Sequence, residues 1–275
     1  MEIAWESGPV NHCCFALLPP ATAAPAAGQH QGSSPGTWEP QALLLTCHVQ
    51  QQRREGRILL WDVVQRRWGW VDGKLCGPVA ALDGFRGKVT SADSCCPSAL
   101  AEAIGGSPAA WEVAPGADED GAAAALLAAA CTDGSVRVYD LAALAAAPAG
   151  GPASKAAAAP LLELLLPDAA QAGAELPAWS ALSMQAAAHE RNLASLSPDG
   201  RLLAAVGPDR RILVHELESG SEQQPLALTA PDWRASGMSA VGGAIRVLRW
   251  LAPDRLLSAG EDGRARIWDV STAAA

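Results

Sequence analysis

The feature that most constrains this chain is a short unit written four times. The clearest copy runs from Leu256 to Val270. Leu256 to Ala259 is an apolar run of strand length, Asp262-Gly263 supplies hairpin chemistry, and Ala265, Ile267 and Asp269 then alternate with Arg264, Arg266 and Trp268. Glycine takes a positive φ without steric cost and Asp tolerates it, while period-two alternation marks a strand with two unlike faces. The same turn, strand and aromatic-acid ending recurs at Asp133 to Leu141, closing on Tyr139-Asp140. It recurs at Asp209 to Leu217, closing on His215-Glu216, and at Gly56 to Val63, closing on Trp61-Asp62. Repetition of one supersecondary unit predicts stacked copies that bury a continuous core, with unequal insertions between them.

The unit resembles the WD40 repeat, down to the terminal Trp268-Asp269, and Ser197-Pro198-Asp199-Gly200 resembles a turn of the same repeats. The resemblance implies an all-β fold, a WD40-type β-propeller with about four recognisable blades interrupted by Ala/Pro/Gly-rich insertions. A single domain over 1–275 is expected, with blades near 10–71, 87–166, 189–229 and 244–270. Residues 68–71 are read as the outer strand of the first blade. Low-complexity insertions are expected at 19–40, 94–121 and 142–160. Ala122 to Cys131 is read as a strand from its place in the repeat, although its propensity is helical. Four units fall short of the family's usual complement, and the sequence ends soon after Val270, so an incomplete ring, or part of a larger one, is expected. Residues 2–6 are a spare strand, expected to complete the last blade beside Arg264 to Val270.

Composition narrows the function. Net charge is −9, which disfavours a general nucleic-acid binder. Seven cysteines, an odd number with no C-x-x-C pair, fit reduced thiols and an intracellular location. Adjacent pairs such as Cys13-Cys14 are expected on opposite strand faces. No secretory signal is visible at the N-terminus, and no apolar run reaches the roughly 20 residues of a membrane-spanning helix. No catalytic motif is present, and no cofactor or metal site is expected. The acidic run Asp118-Glu119-Asp120 reads as a solvated loop.

The resemblance implies structural repeat roles for Trp61, Asp62, Asp133, Tyr139, Asp140, Asp209, His215, Ser258, Asp262, Trp268 and Asp269. It also implies a buried network of Trp, Ser or Thr, turn Asp and a His before the innermost strand. Trp268, Ser258 and Asp262 match part of that set, and no blade has all of it. Function then follows from architecture: a non-catalytic protein–protein interaction scaffold, a WD40 subunit of an intracellular complex in the cytoplasm or nucleus. The alternative is an RNA-processing accessory subunit. Expected partners are other proteins, with RNA possible, and with neither a membrane nor a small-molecule substrate. Trp233, Arg234, Arg54 and Arg210 are candidate partner-binding residues.

Overall fold

The computed structural model describes residues 10–18, 41–50, 55–62, 69–71, 74–76, 78–96, 125–146, 159–166, 192–207, 211–217, 224–229 and 245–271. Four antiparallel sheets follow one another along the chain. The first contains β1 (Val10–Leu18), β2 (Gln41–Gln50) and β3 (Glu55–Asp62). A separate hairpin follows, β4 (Gly69–Val71) with β5 (Lys74–Cys76), and then β6 (Ala80–Phe85) returns as the outer strand beside β3. The second sheet is β7 (Val89–Cys95), β8 (Leu126–Cys131), β9 (Ser135–Asp140) and, after helix α1 (Leu141–Ala146), β10 (Leu162–Leu165). The third is β11 (Leu193–Leu196), β12 (Leu202–Val206), β13 (Ile212–Glu216) and β14 (Leu226–Leu228). The fourth has three strands, β15 (Ile245–Ala252), β16 (Arg255–Gly260) and β17 (Ala265–Asp269).

Two elements differ from the sequence expectation. The outer strand of the first sheet is β6, not 68–71, because Ala80, Ala81 and Leu82 pair with Leu60, Leu59 and Ile58. Leu82 and Phe85 are buried there. Among the described residues, Gly69-Trp70-Val71 pairs with Lys74-Leu75-Cys76 and not with β3. Helix α1 replaces the start of the expected linker at 142–160. Asp140 Oδ1 accepts the Ala143 N–H at 2.9 Å, an N-cap, and Leu141 and Leu144 bury their side chains. Ser94 and Cys95, expected at the start of the insertion at 94–121, are the last residues of β7. Residues 2–6, with their expected pairing to the last blade, and the insertion at 19–40 lie outside the described residues.

Three clusters join neighbouring sheets in turn, and β8 shows how. Leu127, Ala129 and Cys131 face the first sheet, against Leu45, Ile58, Leu82 and Phe85. Leu126, Ala128 and Ala130 face the third sheet, against Ala194, Leu196 and Leu203. Every residue of β8 is buried, so the helix-favouring Ala run becomes a strand walled in on both faces. Small side chains let the neighbouring sheets approach closely. On β12, Leu203 and Ala205 face the second sheet, while Ala204 and Val206 face the fourth. Among the described residues, no cluster links the fourth sheet to the first.

Three turns are closed the same way. The Gly134 N–H donates to Cys131 O, Gly200 to Ser197 O and Gly263 to Gly260 O, at 3.1, 2.9 and 3.2 Å. Gly134 and Gly263 sit at φ 85° and 71°, which is why Asp-Gly is written at both places.

Candidate functional site

The aromatic-acid signature occupies one position in all four sheets. Trp61, Tyr139, His215 and Trp268 are each next to last on the third strand. They sit opposite Leu44, Leu127, Leu203 and Leu256 of the second strand. Trp268 Nε1 donates to Ser258 Oγ at 2.8 Å, and Trp61 Nε1 donates to Thr46 Oγ1 at 2.8 Å. His48 Nε2 lies 2.8 Å from that same hydroxyl. A histidine does therefore enter a buried network, but from within β2, two residues beyond Thr46, rather than from a loop. Side chains two apart share a strand face, the spacing that could have shown it in the sequence. Tyr139 and His215 face Ala129 and Ala205 at the matching place, so neither finds a hydroxyl there. Burial pushes the Tyr139 phenol up and the His215 imidazole down from their ordinary pKa values.

The turn acids act locally. Asp133 Oδ1 accepts from Ser135 N at 2.9 Å and Ser135 Oγ at 2.6 Å, and Oδ2 lies 3.8 Å from Arg137. Asp262 repeats this, accepting from Arg264 N at 3.1 Å and pairing with Arg266 at 2.7 Å. Burial opposes ionisation of both. The Ser135 bonds outweigh it at Asp133, the Arg266 and Arg264 bonds outweigh it at Asp262, and both carboxyls lie below the usual range. Asp269 pairs with Arg255 at 3.0 Å and accepts from Ser271 Oγ at 2.6 Å. Asp62 ends β3. Asp209, and the candidate partner-binding residues Trp233, Arg234, Arg54 and Arg210, lie outside the described residues.

A concave site lies elsewhere. The innermost strands of all four sheets converge on a cleft of ≈ 270 Å³ lined by Phe15, Asp93, Cys95, Ser195, Arg249 and Trp250, among others. It sits toward the C-terminal ends of β7, β11 and β15, the ends opposite the Asp133-Gly134 and Asp262-Gly263 turns. Asp93 is its hub. Oδ2 accepts from Ser195 Oγ at 2.7 Å and Leu196 N at 3.2 Å, and lies 3.5 Å from Arg249 Nη1. One carboxylate thus ties the second, third and fourth sheets together. Trp250 Nε1 donates to Ser195 O at 3.0 Å, and Ser94 Oγ donates to Phe15 O at 3.3 Å. Burial, the leading cause, pushes the Cys95 thiol up to about 12, so it stays protonated and a poor nucleophile at neutral pH. Phe15 is 70% exposed and the Arg249 side chain 49%.

Sequence reasoning passed over this cleft because its residues belong to no shared motif. The available signal was β15 itself, where Arg246 and Arg249 interrupt an innermost strand otherwise made of Ile, Val, Leu, Trp and Ala.

Consecutive antiparallel sheets of three or four strands, packed face to face with their first strands around a common cleft, define a β-propeller arrangement. Residues 241–269, which span the last sheet, match the WD40 family model, described as WD domain, G-beta repeat. No curated protein matches the chain. Among solved structures, the chain is similar to the β-propeller domain of Cps50 (Swd1) from Myceliophteria thermophila, with 14% identity and a TM-score of 0.45. That match covers 84% of this chain and 49% of the other, so this chain spans about half the length of that structure.

Proposed function

We propose that this protein is a non-catalytic scaffold, a WD40 subunit of an intracellular multiprotein complex. WD40 propellers in general bind other proteins on a rigid frame. The observation that carries the reading here is the make-up of the cleft. Its inward polar groups, Asp93, Ser195 and the Trp250 indole, are engaged in holding sheets together. Its solvent-facing groups are an aromatic ring and a guanidinium, Phe15 and Arg249. Aromatic and Arg side chains are the residue types that dominate binding energy at protein interfaces.

Affinity capture of the tagged full chain from its source cells, with nuclease treatment in parallel, tests this. Protein partners should co-purify in fixed stoichiometry and survive nuclease. A chain recovered alone, or partners lost on nuclease treatment, would overturn the reading.

A further inference from the structure

We propose that the central cleft docks an acidic segment of a partner protein. An Asp or Glu carboxylate of that segment would sit on Arg249, and a neighbouring aromatic or aliphatic side chain against Phe15 and Trp250. The inference rests on the scaffold reading and names the chemistry of its partner.

The argument begins with donors and acceptors. A guanidinium carries five N–H donors in a planar fork that matches a carboxylate. Within the cleft, Arg249 directs one nitrogen at Asp93, at 3.5 Å, the longest of the three approaches to that oxygen. Asp93 is better served, because a hydroxyl and a backbone N–H already disperse its charge. The other nearby carboxylate, Asp199, is taken by Ser197 Oγ at 2.5 Å and Arg201 N at 3.2 Å. Of the Arg249–Asp93 pair, the cation is the more exposed, 49% against 21%. An incoming carboxylate gains a bidentate partner without breaking the Ser195 and Leu196 bonds that hold the sheets.

The apolar half of the site is Phe15. An innermost propeller strand ordinarily turns such a ring into packing, yet here it stands in solvent beside the half-buried Trp250. The indole N–H is engaged by its bond to Ser195 O, which leaves the ring's apolar surface as what it brings to the cleft. Two aromatic side chains lining the same cleft as a half-exposed guanidinium suit a carboxylate next to a large apolar side chain. The reversed arrangement, a basic segment reaching for Asp93, would meet Arg249 first and be repelled.

Fluorescence anisotropy with two labelled short-peptide pools tests the proposal, one built on a fixed Glu-Phe core and one on Lys-Phe, both with randomised flanks. Full chains compared are wild type, Arg249→Glu, Phe15→Ser and, as a control outside the cleft, Arg255→Glu, with circular dichroism confirming that each is folded. The Glu-Phe pool should saturate wild type and the control while the Lys-Phe pool does not. Arg249→Glu and Phe15→Ser should each weaken binding by roughly tenfold or more. Equal binding of both pools, no binding of either, or unchanged affinity in a folded Arg249→Glu protein would overturn the proposal. If the folded Arg249→Glu chain still captures its cellular partners in full, the cleft assignment fails and the scaffold reading stands. If wild type captures nothing, the scaffold reading fails as well.

Discussion

At the scale of single residues, the repeat signature is a set of hydrogen-bonding devices of unequal worth. Thr46 serves both the Trp61 indole and the His48 imidazole in a buried setting, whereas Ser258 receives the half-buried Trp268. Thr46→Val should lower stability by about 1–3 kcal/mol, since it removes a buried hydroxyl that two ring nitrogens share. Ser258→Ala should cost about 1 kcal/mol, and urea unfolding midpoints measure the difference. Asp133 gives the protein an acid-sensitive element. Burial would raise its pKa, but the Ser135 bonds and Arg137 hold it lower in the folded chain than in the unfolded one. Its stabilisation is complete above the unfolded value, about pH 4, and is lost as pH falls through the folded value. Wild type should melt above Asp133→Asn at pH 6, and the gap should close steadily below about pH 4. The Asp-Gly pairs that flag these turns were plain in the sequence. The His48 contact was hidden because its usual place is before the first strand and here it lies inside the second.

Strands and the contacts between them form the next level. The four third strands were readable because alternation and a shared ending mark them. The outer strand of the first sheet was not, because Ala80 to Phe85 carries Asp83-Gly84 in its middle and lacks alternation. That interruption has a use. Arg137 on β9 donates to Gly84 O at 3.0 Å, lies 5.0 Å over the Phe85 ring and donates to Glu163 of β10 at 2.9 Å. A single side chain thereby clamps the first sheet to the second. Arg137→Ala should lower the unfolding free energy by about 1–3 kcal/mol. Arg137→Lys should recover less than half of the loss, because an ammonium lacks the fork and stacks poorly. Equilibrium denaturation of the three proteins checks both. The cleft was equally hard to read, for it is assembled from one or two residues on each of four strands far apart in the chain.

Over the whole molecule, sheets are bonded to neighbours and not into a ring among the described residues. The last sheet shows the consequence. Leu256 and Val270 pack against the third sheet, while Val247, Leu251 and Ile267 stand exposed. Exposed large apolar side chains on one sheet promote association. Light scattering should show concentration-dependent self-association that Val247→Lys and Ile267→Lys reduce, with stability changed by less than about 1 kcal/mol at these exposed sites. The sequence announced the count of units through their signatures. The way those units meet depends on faces such as Ala128 and Ala204, whose alanines look like filler until both neighbouring sheets are in place.

The double-sided enclosure of β8 orders the molecule in time as well as in space. A unit held on one face can lift away and return, whereas a strand walled in between two sheets opens only when the whole chain does. Deuterium should enter the amides of β15 to β17 early and those of Leu126 to Cys131 last, so that the plainest stretch of the sequence keeps time for all the rest.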